Sequence, residues 1–118
     1  MAIIVPVDDY SPIMQGDTGN PLSIQVLHKN GYMTLTGATI TMKLQNTVDS
    51  SIKTCTGPWV INPSIAYKAS YTYQANDVSI AGSWYMWIKI VIAGSPVHVD
   101  DGNGNPKILV ILPLPIGV

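Results

Sequence analysis

Asp17-Thr18-Gly19 is a tripeptide able to supply one half of a two-carboxyl proteolytic site, in which two facing aspartates share a proton. That chemistry wants a hydrophobic strand before the aspartate and a small residue after the glycine. Here Gln15-Gly16 precede it and Asn20 follows. Gly16, Gly19, Asn20 and Pro21 instead read as a bend leading into a strand. Asp101 to Asn105 opens like a calcium loop, but the sixth position is Pro106 and the twelfth Leu112, where Gly and Glu are needed. A polar hairpin loop explains it better. Asp8-Asp9 and Asp100-Asp101 are adjacent pairs whose side chains diverge on an extended chain, so neither makes a facing carboxylate couple. His28 and His98 have no Cys or Glu at ligand spacing, and no nucleophile-elbow serine is present. Cys55 is the only cysteine and reads as a small buried strand residue. No residue is assigned a catalytic, cofactor or metal role.

The aromatic set Trp59, Tyr67, Tyr71, Tyr73, Trp84, Tyr85 and Trp87 has the residue types that stack on sugars. In a small β domain such rings more often fill the core. An exposed, coplanar pair is what would mark a sugar platform.

These residues need strands to position them. The chain has 118 residues, one domain in length, with no Glu, Arg or Phe and with six Lys and seven Asp. Missing Glu and Arg argue against exposed helix faces, whereas abundant Thr, Ile, Val, Tyr and Trp suit strands. Net charge is −1 with no basic stripe, which disfavours nucleic acid as a partner. Residues 1–10 lack the pattern of a leader, and the apolar run 108–118 is too short to span a bilayer, so a soluble protein is expected. Apolar residues make up 47% and charged residues only 11%, which points to surface covered in an assembly.

Strict alternation marks Leu22–His28 and Ala38–Gln45 as strands with one wet face. Ser83–Ala93 is apolar on both faces and so is expected at the centre of a sheet or half covered by a partner. Ser51–Thr56, Trp59–Ile61, Tyr67–Ala75, Val97–Val99 and Pro106–Leu112 complete the set. Tyr71, Tyr73 and Ala75 are expected on one side. Seven to nine short, mostly antiparallel strands predict an all-β sandwich over residues 1–118, with apolar arms at about 1–10 and 113–118. Its predicted core is Ile24, Val26, Ile40, Met42, Leu44, Trp84, Met86, Ile88 and Ile90. Asp77 is expected to bond to the backbone of the corner before Gly82.

Gly16-Asp17-Thr18-Gly19 runs into Leu22-Ser23-Ile24-Gln25-Val26, and Leu35-Thr36-Gly37-Ala38-Thr39-Ile40 enters the next long strand. Asn76-Asp77 then precedes Ala81-Gly82-Ser83-Trp84-Tyr85. Over residues 12–113 this resembles the amino-terminal domain of the baseplate upper proteins of tailed phages. The resemblance implies an immunoglobulin-like sandwich and a non-catalytic structural or adaptor role in a virion, assembled in the host cytoplasm. Implied partners are other virion proteins and further copies of the chain. The family places a helical stalk after this domain, whereas this sequence stops at Val118, so a stand-alone relative or a subunit of another virion structure is expected. Ile3, Ile4, Val5, Tyr85, Trp87, Leu114, Ile116 and Val118 are the candidate interface residues. A carbohydrate-binding module is the alternative, and a homodimeric aspartic protease using Asp17 a distant one.

Overall fold

Alternating apolar residues bury one face of a strand only if a second layer covers it, and two sheets do this here. The computed structural model describes residues 2–6, 13–19, 21–28, 31–100 and 104–114. Their strands are β1 (Ala2–Pro6), β2 (Ile13–Met14), β3 (Leu22–His28), β4 (Gly31–Tyr32), β5 (Thr39–Asn46), β6 (Ile52–Cys55), β7 (Trp59–Ile61), β8 (Lys68–Tyr71), β9 (Gly82–Ile92), β10 (Ser95–Asp100) and β11 (Lys107–Leu112). Nine of them are three residues or longer, and no helix occurs among the described residues.

β9 is the hub. One edge pairs antiparallel with all of β5, from Thr39 opposite Val91 to Asn46 opposite Trp84. Its other edge is divided between β11, over residues 82–86, and β10, over residues 88–92. The double-sided apolar pattern of this strand therefore belongs to a central one. β6 continues the layer beyond β5, and β2 adds a short parallel pairing to β11. The second layer runs β1-β3-β8-β7, antiparallel throughout, with β4 folded onto β3. A two-residue parallel pairing of β1 with β10 joins the layers along one side. β1-β3-β8-β7 facing β6-β5-β9-β10 is the immunoglobulin order A-B-E-D against C′-C-F-G. β11 and β2 are additions to it.

Between the layers all nine predicted core residues are buried. Leu22, Leu35, Tyr71, Tyr73, Val78, Val99, Leu109 and Ile111 join them. Tyr71 and Tyr73 do share the interior, but Ala75 is exposed: β8 ends at Tyr71 and residues 75–78 turn, so the alternation does not reach it. Residues 2–6 of the expected amino-terminal arm belong to β1, and the chain leaves the ladder at Leu112, just before Pro113, as a missing backbone donor requires.

Trp84, near the start of β9, is the largest fully buried side chain among the described residues. Its indole N–H donates to Ile80 O at 3.3 Å, and the Lys53 ammonium sits 5.5 Å from its ring centre. Lys53 also donates to Asn76 O and Ser79 Oγ, tying β6 to the turn before β9. Gly82 enters β9 at φ +141°, a conformation that resists any side chain.

A β carbon at Gly57 would lie 2.7 Å from Thr72 O and 2.9 Å from the Tyr71 hydroxyl. Gly57→Ala is therefore expected to lower stability by about 1–3 kcal/mol, read by urea unfolding. An unchanged midpoint would mean that this backbone crossing is loose.

Candidate functional site

Side chains that point away from the core on β5, β6, β9, β10 and β11 form one broad, nearly continuous face. In register across the strands, Ile52 lies opposite Gln45, Gln45 opposite Tyr85, and Tyr85 opposite Ile108. The next row sets Thr54 opposite Lys43 and Lys43 opposite Trp87. A third sets Thr41 and His98 on either side of Lys89. Ile52 is 61% exposed, Ile108 46% and Trp87 45%, an unusual apolar load for a strand surface. Trp87 is fixed in place: its indole N–H donates to Gln45 Oε1 at 3.0 Å, and its ring lies 6.3 Å from Tyr85 at 57°.

The sequence singled out Tyr85 and Trp87, and the fold brings them together on this face. Leu114 is exposed just beyond β11. β1 pairs Ile3, Ile4 and Val5 with β3, and Ile3 with β10 as well, while their side chains lie outside the described residues, as do Ile116 and Val118. Ile52, Ile108, Lys43 and His98 were missed as members of the face. The signal was present in the alternation: each sits at an odd or even position opposite to a core residue of the same strand.

Tilted as they are, Tyr85 and Trp87 do not form a coplanar platform. Tyr32 and Tyr67 stack on each other at 4.3 Å and 17°, so each covers a face of the other. Trp84, Tyr71 and Tyr73 are core, as expected. Asp17 follows β2 in a turn, its Oδ1 accepting the Gly19 N–H at 3.0 Å, which matches the bend. Most of the polar loop 101–105 and residues 8–9 lie outside the described residues. Among the described residues no group of three or more His, Cys and Asp side chains is placed to hold a metal, and no helix is long and apolar enough to cross a membrane.

Cys55 is buried at the end of β6. Burial, reinforced by Asp77 nearby, pushes its thiol up to about 12. The neutral thiol is thus the form present in the folded protein at neutral pH, and the thiolate is the nucleophile. Iodoacetamide at pH 8 is expected to modify Cys55 only in urea. Rapid labelling of the native protein, read by mass spectrometry, would contradict this burial.

No protein-family model and no curated protein matches the chain.

Proposed function

We propose that the chain is a non-catalytic adaptor or structural subunit of a phage particle, at a tail, baseplate or fibre attachment, working through protein–protein contacts. The observation that carries this reading is the row Ile52–Gln45–Tyr85–Ile108, apolar but for Gln45, with Trp87 beside it, on the outside of the six-stranded layer. A row of this kind on a flat sheet is costly to leave in water and suits a partner's flat surface. The likeness of residues 12–113 to the amino-terminal domain of baseplate upper proteins supports the setting, and the immunoglobulin-like strand order agrees with it. Self-association and binding to other virion proteins both use such a face.

A stable contact of this kind covers on the order of 1,000 Å² or more in total. Sedimentation velocity of the 118-residue chain at rising concentration tests it. A concentration-dependent oligomer is expected, and the pair of changes Tyr85→Asp and Ile108→Asp should shift it to monomer. Removing residues 113–118 is the parallel arm for the carboxyl end. A chain that stays monomeric at millimolar concentration, unchanged by either alteration, would leave the self-association half of the proposal without support.

A further inference from the structure

β6 is the outermost strand of its layer: among the described residues it pairs with β5 alone. The Asn46 N–H donates to Ser51 O at 2.8 Å, which fixes the phase of that ladder. Bonded and non-bonded pairs alternate along antiparallel strands, so Lys53 exchanges bonds with Leu44, and Cys55 with Met42. The backbone N–H and C=O groups of Ile52 and Thr54 therefore point away from β5, off the side of the sheet. Both residues are exposed.

Such an edge is a template for another strand, and proteins ordinarily guard it with proline, lysine or brevity. β7, at the edge of the other layer, has three residues and lies between Pro58 and Pro63. β6 contains no proline, and its lysine is no guard. Lys53 turns inward, where its ammonium donates to Asn76 O and Ser79 Oγ and lies against the Trp84 ring. What the edge shows to an arriving strand is uncharged: Ile52, Thr54 and, just past β6, Thr56.

The occupant that fits is the same edge of a second copy. In an antiparallel pair, outward groups meet outward groups, so Ile52, Thr54 and Thr56 find partners among themselves. A twofold axis at Lys53 would set two lysines opposite each other, which is unfavourable. An axis at Ile52 would call on Ser50, whose φ of +63° is not extended. An axis at Thr54 avoids both: Thr54 faces its own copy, and Ile52 faces Thr56. We propose that two copies pair their β6 edges about a twofold axis at Thr54, making one continuous sheet of two layers. The contact uses the same edge on both sides, so it closes and does not propagate.

This inference rests on the self-association proposed for the outer face. About six backbone hydrogen bonds give a modest net gain against the freedom lost on association, so one edge contact alone does not hold two copies. Two face-to-face dimers that meet edge to edge make two such contacts, and the second is intramolecular. The expected assembly is a tetramer with face and edge contacts on separate twofold axes.

Sedimentation velocity of the 118-residue chain from micromolar to millimolar concentration, with residue-resolved amide exchange, tests it. The parent should pass from dimer to tetramer. Thr54→Pro removes only a donor that points outward, a change that edge strands tolerate, and should stop assembly at the dimer. Thr54→Val keeps the donor and should still reach the tetramer. Thr54→Lys and Thr54→Asp each put like charges across the axis and should stop at the dimer. An equal mixture of the two should restore the tetramer. The Thr54 amide should exchange slower by about tenfold or more in the tetramer than in the dilute chain. Melting temperatures within a few degrees of the parent show that the variants fold, and the charged pair keeps the test intact if Thr54→Pro does not. A tetramer that survives Thr54→Pro overturns edge pairing and leaves the outer face standing. Assembly lost with Thr54→Pro, but kept with Tyr85→Asp and Ile108→Asp together, upholds the edge and removes the face. A chain monomeric throughout, a parent that stops at the dimer, or a Thr54 amide already slow in the dilute chain overturns the proposal. So does a Thr54 amide slowed by an added alternating isoleucine–threonine peptide but not by concentration, which would give the edge to a foreign strand.

Discussion

Trp84→Ala is expected to be the most damaging single change in the sandwich, costing about 3–5 kcal/mol in urea or thermal unfolding. The residue is 1% exposed and lies where β5 and β11 both pair with β9. Truncation removes the largest side chain of the core and leaves a cavity that two fixed ladders cannot close. It also frees the Ile80 carbonyl and deprives the Lys53 ammonium of its aromatic neighbour. Domains of this size are stable by only about 5–15 kcal/mol, so the variant should be partly unfolded at 37 °C. Trp87→Ala supplies the internal control. Three residues along the same strand, it points to the outer face, and its loss should cost under about 1 kcal/mol. Similar losses for both tryptophans would show that the side chains of β9 do not divide between core and surface as described, since a one-residue slip exchanges the two faces.

That contrast also marks what the sequence discloses. Alternation over 38–45 and 83–93 is enough to assign both faces of β5 and β9, because a period of two with large apolar residues has one solution when one side is buried. The same arithmetic fails at Ala75, where no ladder continues past Tyr71 to enforce it. Pairings such as β1 with β10, or the division of β9 between β10 and β11, rest on contacts between residues far apart in the chain, and no local pattern encodes them. Lys53 is a further example. It is one lysine in a short edge strand, and its partners Asn76, Ser79 and Trp84 become neighbours only once two layers have met. The candidate site was half legible for the same reason. Tyr85 and Trp87 stand out within one strand, whereas Ile52, Lys43, His98 and Ile108 join them only through cross-strand register.

Asp77→Ala is expected to cost about 2–4 kcal/mol, as losing a buried group that satisfies two donors does. Asp77 is 4% exposed, the one buried charged or polar side chain among the described residues. Its Oδ2 accepts the Tyr71 hydroxyl at 2.6 Å and the Gln74 N–H at 2.9 Å. The Tyr71 oxygen in turn accepts the Gly57 N–H at 3.0 Å, so one chain of bonds ties the turn before β9 to the end of β8 and to the link between β6 and β7. Asp77 does bond to backbone, but at Gln74, ahead of the corner before Gly82 where that bond was expected, and a tyrosine bond that spacing alone did not disclose stands beside it. Burial, and then the bond to Asp77, hold the Tyr71 hydroxyl well above the ordinary phenol range. It stays a donor at any working pH. Asp77→Asn keeps an acceptor in place and should cost clearly less than Asp77→Ala. Tyr71→Phe should cost about 1–3 kcal/mol by taking one of two donors from Asp77 and the acceptor from the Gly57 N–H. Because the residues share a bond, their effects should not add. The Asp77→Ala, Tyr71→Phe double variant should be less destabilised than the sum by about 0.5–3 kcal/mol. Unfolding midpoints of the four proteins decide the matter. Strict additivity, or an Asp77→Ala variant as stable as the parent, would show that the turn is held by its backbone alone.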